Sequence, residues 1–398
     1  MAHHPPHRLR TLSLAIVALT TCFAAACDTQ RAAVDGGVVS TAEPYARELP
    51  TYAAGEAPRN IVFLVGDGMG LTQITAGMYA SDNRIAFERM RTVGLHKSYS
   101  SDNLVTDSAA GATAFSCGEK TYNGAIGVRP DGSPCPTLFE YARELGMPTG
   151  AVVTSTIVHA TPAAFYAHEA SRQSYENIAE QLAAADVDFF VGGGQQFFDR
   201  REGDDRDLIA EMRADGRVVE SYFDKRFADV TASAKTPYAY FTAANDPLPV
   251  AQGRDYLEPA SVAALDYLAA RDTSDRGFFL LIEGSQIDWG GHANQGDYIV
   301  TEVQDFSRTI DAVLDWAAEH GSTLVVVTAD HETGGFAINN GSTQDEMDYA
   351  FTSDYHTATM IPVFAEGPGA EAFGGIYENT AIYDKLHSML ASREVAAQ

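Results

Sequence analysis

Short, nearly continuous apolar runs recur along the chain. IVFLV at 61–65, GAVVT at 150–154, VDFFV at 187–191, FFLLIE at 278–283, TLVVVT at 323–328 and IPVF at 361–364 each read as a strand buried on both faces. Helical periodicity lies between them, over 136–145, 175–185 and 260–270. It is clearest over 297–320, where Val303, Phe306, Ile310, Val313 and Ala317 share one face and Gly321 supplies a stop. Strands alternating with helices predict an α/β fold, a mostly parallel central β-sheet sandwiched by helices. No internal repeat is visible. Residues 199–256 are more charged and less regular, and read as a peripheral insertion.

The first 58 residues follow neither pattern. Arg8 and Arg10 precede a mostly apolar run, 11–26, that is too short for a membrane span of roughly 20 residues. It ends in Ala24-Ala25-Ala26, an A-x-A cleavage site, so 1–26 read as a secretory signal peptide. Residues 27–58 are rich in Ala, Gly, Thr and Pro and read as a flexible tether, with the folded domain over 59–398. Ala-Ala-Cys also resembles the end of a bacterial lipoprotein signal, which makes Cys27 a candidate lipid anchor. The expected location is therefore exported: periplasmic, membrane-anchored or extracellular. Cys22 leaves with the signal. Cys117 and Cys135 are either a disulfide, which an exported compartment permits, or two separate buried thiols. No CxxC occurs, so thiolate zinc is not the chemistry.

Charge narrows the function. Among 398 residues, 54 acids outweigh 27 Lys and Arg, a net charge of −27. Such a surface is wrong for nucleic acid, whose phosphates need basic partners, and no nucleic-acid partner is expected. A site that handles anions here needs its own local positive charge.

The candidate chemistry sits after the apolar runs. In a parallel sheet, ligands gather beyond the carboxyl ends of the strands. IVFLV leads to Gly66-Asp67-Gly68, FFLLI leads to Glu283 and then Asp288 and His292, and TLVVVT leads to Asp330 and His331. One Asp after a strand usually caps a loop or helix. Three strand ends that together carry Asp, Glu and His are harder to explain as caps. Carboxylates with imidazoles suit Zn²⁺. Asp288 and His292 share a face if a helical turn forms; the intervening glycines make a strict helix doubtful, but a tight turn also joins them. A small-residue helix begins near Ser108. Asp107 or Ser108 could merely cap it, or its free N–H groups could hold a phosphate. No G-x-S-x-G elbow exists, so Ser108 needs another route to lose its proton, which metal coordination supplies.

Gly66-Asp67-Gly68-Met69-Gly70, Val105-Thr106-Asp107-Ser108-Ala109-Ala110, Lys120-Thr121-Tyr122-Asn123-Gly124-Ala125, Glu283-Gly284-Ser285 with Asp288 and His292, and Thr328-Ala329-Asp330-His331 appear in that order. Together they resemble the alkaline phosphatase family from residue 59 nearly to the C-terminus. The resemblance implies two Zn²⁺ and one Mg²⁺. Asp288, His292 and a late histidine, His356, would hold the first zinc. Asp67, Asp330 and His331 would hold the second, with Ser108 as its reactive ligand. Asp67, Thr161 and Glu283 would hold the magnesium. Arg172 would be the phosphate clamp, its planar fork gripping two oxygens. Two positions depart from the best-known bacterial pattern. His159 stands where an Asp orders water around the magnesium, and Trp289 where a Lys contacts phosphate through water. His159 would favour another divalent metal at the third site, and Trp289 removes a positive charge near bound phosphate.

The activity implied is metal-dependent hydrolysis of small-molecule phosphate monoesters through phosphorylated Ser108, in a homodimer. The alternatives are a phosphodiesterase or sulfatase on the same scaffold, whose nucleophile is usually Thr or a modified Cys or Ser, and a non-catalytic zinc-binding lipoprotein.

Overall fold

The computed structural model describes residues 45, 48–53 and 55–396, without the side chains of 393–396. The signal peptide and the start of the tether, with Cys22 and Cys27, lie outside the described residues. Ten strands form one sheet: Asn60–Gly66 (β1), Thr92–Lys97 (β2), Thr149–Thr156 (β3), Phe189–Gly193 (β4), Val218–Ser221 (β5), Tyr238–Phe241 (β6), Phe279–Gly284 (β7), Thr323–Thr328 (β8), Ile361–Glu366 (β9) and Gly375–Glu378 (β10). Their order is β10-β2-β9-β8-β1-β7-β3-β4-β6-β5. All neighbours are parallel except β9, which runs antiparallel to β8 and β2. The apolar runs of the sequence are the inner strands and β9. β5 and β6 come from within 199–256 and continue the sheet to one edge.

Helices cover both faces: Leu71–Tyr79 (α1), Ser108–Cys117 (α2), Leu138–Glu144 (α3), Tyr175–Ala184 (α4), Leu257–Arg271 (α5), Gln286–His292 (α6), Gly296–His320 (α7) and Thr380–Ala396 (α8). β1 shows why its run is unbroken. Ile61, Phe63 and Val65 pack with residues of α2, α3, α4 and α8, whereas Val62 and Leu64 pack with residues of α1, α5 and α7. All five are fully buried, each stabilising the fold by about 1.5–3 kcal/mol relative to exposure. The predicted helices appear as α3, α4, α5 and α7. A Thr137–Glu140 capping box starts α3.

The described part of the expected tether, residues 45, 48–53 and 55–58, makes bonds to this body. The Tyr45 hydroxyl donates to the Ile85 carbonyl at 2.6 Å, and the Arg91 guanidinium donates to the Pro50 carbonyl. A disulfide joins Cys117, at the end of α2, to Cys135.

Register aligns the strand ends that matter. Val65 of β1 lies opposite Glu283 of β7 and Thr328 of β8, and Val153 of β3 also lies opposite Glu283. The residues that follow these strands therefore emerge at one level.

Candidate active site

Asp67 follows β1, Glu283 ends β7, and Asp330 and His331 follow β8; all four are fully buried. Asp288 and His292 lie one turn apart on α6, so the expected pair does sit on a helix. The glycines that made a helix doubtful serve close approach: a Cβ on Gly291 would meet the Thr333 side chain at 2.8 Å. His356 arrives from far along the chain because Glu332–Thr333 and His356–Thr357 pair antiparallel, with His356 opposite Thr333. Thr161 and His159 come from the turn and short helix after β3.

These residues meet in three groups, each with ligand atoms within 4.8 Å of one another: Asp288, His292 and His356; Asp67, Asp330 and His331; and Asp67, His159 and Glu283. Asp67 is common to two. His292 Nε2 lies 3.3 Å from Asp288 and 3.1 Å from His356 Nε2, and His331 Nε2 lies 3.1 Å from Asp330. Each imidazole is oriented from behind. His292 Nδ1 bonds the Asp354 carbonyl at 2.7 Å, and His356 Nδ1 bonds the Thr106 carbonyl at 2.8 Å. His331 Nδ1 donates to Thr333 Oγ1 at 3.2 Å, and that hydroxyl donates onward to Asp288. With Nδ1 engaged from behind, Nε2 is the nitrogen that each of the three rings turns towards the carboxylates, and it is the atom a cation would take.

The carboxylates are otherwise poorly served. Both oxygens of Asp67, Asp330 Oδ2 and Glu283 Oε1 are buried without a hydrogen-bond partner. Burial, then the charges of Asp330, Asp288 and Glu283, push Asp67 far above the usual carboxylate range. Burial pushes Glu283 up to about 7, although Ser285 and Ser155 both donate to it. Native interiors seldom bury acids beside acids without a counter-charge. Divalent cations would provide one, and oxygen with imidazole nitrogen is the donor set they take.

Ser108 opens α2, with Asp107 as its N-cap. Its Oγ lies 3.3 Å from His331 Nε2. The helix consists of small residues here because it abuts the loop after β8; a Cβ on Gly111 would meet the Asp330 side chain at 2.9 Å. Asp107 does more than cap. One oxygen accepts from the Ala110 and Gly124 amides, and the other accepts from Arg172 at 3.0 Å. The second Arg172 amino group donates to His159 Nε2 at 3.1 Å. Burial, reinforced by Arg172, pulls His159 down to about 3, so the ring is neutral. Trp289 stands edge-on to His159 with centroids 6.4 Å apart.

The structure thus gathers the candidate catalytic, phosphate-binding and metal-ligating residues singled out in the sequence at the carboxyl ends of β1, β3, β7 and β8. Sequence reasoning missed the supporting shell. Thr333 and Ser155 fall in none of the motifs, and Ser285 and Asp107 stood inside motifs with no role read for them beyond a cap at Asp107. His96 on β2 is another: it is fully buried, and Nε2 donates to the Ala329 carbonyl at 2.8 Å, one residue before Asp330.

The family model described as "Alkaline phosphatase" matches residues 58–347. Alkaline phosphatase 3 of Bacillus subtilis is 39% identical over 297 residues, which are 70% of this chain and 62% of that protein, so the match spans under two thirds of this relative. The solved alkaline phosphatase of the Antarctic bacterium TAB5 is 39% identical with a TM-score of 0.78, covering 84% of this chain and 98% of that one. A variant of that enzyme with one histidine changed to glutamate, described with Mg bound in its M3 site, is 38% identical with a TM-score of 0.77, covering 84% and 99%.

Proposed function

The chain belongs to the alkaline phosphatase family, and from that premise we propose that it hydrolyses phosphate monoesters with Ser108 as nucleophile. The observation that carries this is the cluster of orphaned, buried carboxylate oxygens and oriented imidazoles beside the Ser108 hydroxyl. Asp288, His292 and His356 would hold one zinc, and Asp67, Asp330 and His331 a second. Asp67, Glu283 and Thr161 would hold a third divalent ion. Bound cations would supply Lewis acidity, lowering the pKa of hydroxyl and water and offsetting phosphate charge.

The chain's own residues then divide the work. Ser108 Oγ attacks phosphorus, its P–O bond forming as the ester oxygen departs on the side of the Asp288 triad. Water then cleaves the phosphoserine, returning the hydroxyl and releasing inorganic phosphate. Arg172, held by Asp107 and His159, grips the equatorial oxygens, and the first amides of α2 add positive potential at the same place. Trp289 supplies no charge there, so we expect loosely held product. Where release limits turnover, that raises the rate.

His159 bears on the third ion. While its Nε2 accepts from Arg172, the proton sits on Nδ1, the nitrogen that is buried without a partner. A cation beside Asp67 and Glu283 gains this ring as ligand by displacing either that proton or the Arg172 bond. We infer that His159 corresponds to the histidine replaced in the Antarctic variant, so H159D should raise magnesium content and magnesium activation.

The Cys117–Cys135 disulfide supports an exported protein. No helix among the described residues is long and apolar enough to cross a membrane. Lipidation of Cys27 and a homodimer belong to the same proposal, checked by mass spectrometry of the exported protein and by sedimentation.

The test is metal analysis with nitrophenyl phosphate and its bis ester, before and after chelation and zinc return. Monoester turnover lost on chelation and restored by zinc is expected. Faster turnover of the bis ester would favour a diesterase, and turnover indifferent to chelation would overturn the reading.

A further inference from the structure

Tyr355 precedes His356 and is not among the residues that hold cation or phosphate in the reading above. Its ring stacks on His356, with centroids 4.2 Å apart and planes 10° from parallel. His356 stacks in turn on His331 at 3.5 Å and 16°. The column runs from the imidazole that faces Ser108 outwards, and Tyr355 closes it. His356 is buried, whereas Tyr355 keeps 47% of its surface exposed. The same ring leans on His292, with centroids 5.8 Å apart, so it touches both histidines of the Asp288 triad.

Its position is fixed by the backbone. The Tyr355 carbonyl accepts from the Gly334 amide at 2.9 Å, and its amide donates to Ser353 Oγ at 2.9 Å. The charges of Asp107 and Arg172 reach the hydroxyl. A rigid, half-open aromatic ring thus stands at the mouth of the site, beside the triad towards which the ester oxygen departs. Such a ring offers a π-face, and flat groups stack on one regardless of their detailed hydrogen-bonding pattern.

We propose that Tyr355 forms a subsite for planar leaving groups, so that the chain favours aryl phosphates and nucleoside monophosphates over aliphatic monoesters. This rests on the reading of the chain as a monoesterase whose leaving group departs beside Asp288, His292 and His356. It adds a preference that neither the cations nor Arg172 can provide, because these grip only the phosphoryl group.

The experiment compares the zinc-loaded full chain with Y355F and Y355L. Naphthyl phosphate, adenosine 5′-monophosphate and glycerol 2-phosphate are the substrates. The readout is the ratio of kcat/KM for each planar ester to that for the glycerol ester. A single aromatic stack predicts a fall of about tenfold in this ratio for Y355L, carried by KM. Y355F keeps the π-face and should keep the ratio. If Y355L slows all three esters equally, Tyr355 only shields His356 and the subsite is overturned. An unchanged ratio overturns it as well, as does a loss of the ratio in Y355F, which would assign the preference to the hydroxyl. A wild-type chain that hydrolyses none of the three would instead overturn the monoesterase reading, and so is distinguishable.

Discussion

At the amino ends of β3 and β4, charged side chains meet the opposite sign. Arg271 bonds Asp188, whose other oxygen accepts from the Thr149 amide, and Arg143 pairs with Asp186 at 3.2 Å. At the carboxyl ends of β1, β7 and β8, acids face acids: Asp67 lies among Asp330, Asp288 and Glu283, all buried. One end of the sheet is electrostatically complete as a polypeptide. The other end becomes complete only with cations. Local incompleteness of this kind is what a binding site looks like before its ligand is considered.

The widest separation between the two ends should come from S108A. Turnover should fall by roughly a thousandfold or more, and the phosphoenzyme in acid-quenched samples should vanish. Thermal stability should change little, since one small buried hydroxyl is lost. Full turnover in this variant would break the contrast at its root.

Chelation should come next. A cation present at a thousand times its Kd stabilises the folded chain by about 4 kcal/mol per site. Stripping the protein should therefore lower Tm by several degrees as activity disappears, and zinc should restore both. Calorimetry with and without chelator reads this.

The stripped protein should also respond to pH in a set direction. The bond to Asp288 raises His292 from 6.5 to about 9, so its stabilising effect is complete below 6.5 and lost as pH rises through 9. Burial raises Glu283 from 4.5 to about 7, so the folded state increasingly loses ground as pH climbs between those values. Below about pH 6.5 the buried neutral rings of His96, His159 and His356 work the other way. The Tm of metal-free protein is therefore expected to fall between about pH 7 and 9, where His292 titrates. Zinc binds more tightly as its ligands shed protons, so the gap between loaded and stripped protein should widen over the same range. A stripped protein whose Tm rises with pH over that range would contradict this.

D188N should have the smallest effect and the opposite character. It removes the charge that pairs with Arg271 and leaves one acceptor oxygen where two stood, costing about 1–2 kcal/mol of stability. Zinc content and kcat/KM should match wild type. A loss of zinc on D188N would mean that the two ends are coupled through the sheet.

What could be read in the sequence divides along the same line of burial. Strands buried on both faces announce themselves, so β1, β7 and β8 were legible from their apolar runs alone. Strands at or near the edges did not. β2 carries exposed Val93 and β10 exposed Ile376, and four-residue β5 and β6 are too short to show a period. The candidate ligands Asp67, Glu283, Asp330 and His331 were legible because they sit at the ends of legible strands. His356 was not, except through family resemblance, because a two-residue antiparallel pairing brings it in. Thr333 and His96 touch the site only through other side chains, and nothing in local sequence marks a residue whose importance lies in what it leans against.

The Cys117–Cys135 bond closes a loop that includes Gly124. That glycine's amide donates to Asp107, and its carbonyl accepts from the Arg172 amide at 2.7 Å. The covalent clasp therefore tethers the peptide that bonds both the Asp107 helix cap and the Arg172 backbone. A host cell that makes this chain in a thiol-rich cytoplasm would leave the clasp open, by about 3 kcal/mol of chain entropy for a loop this size. Preparations differing only in where the chain was synthesised would then differ in how firmly they hold phosphate.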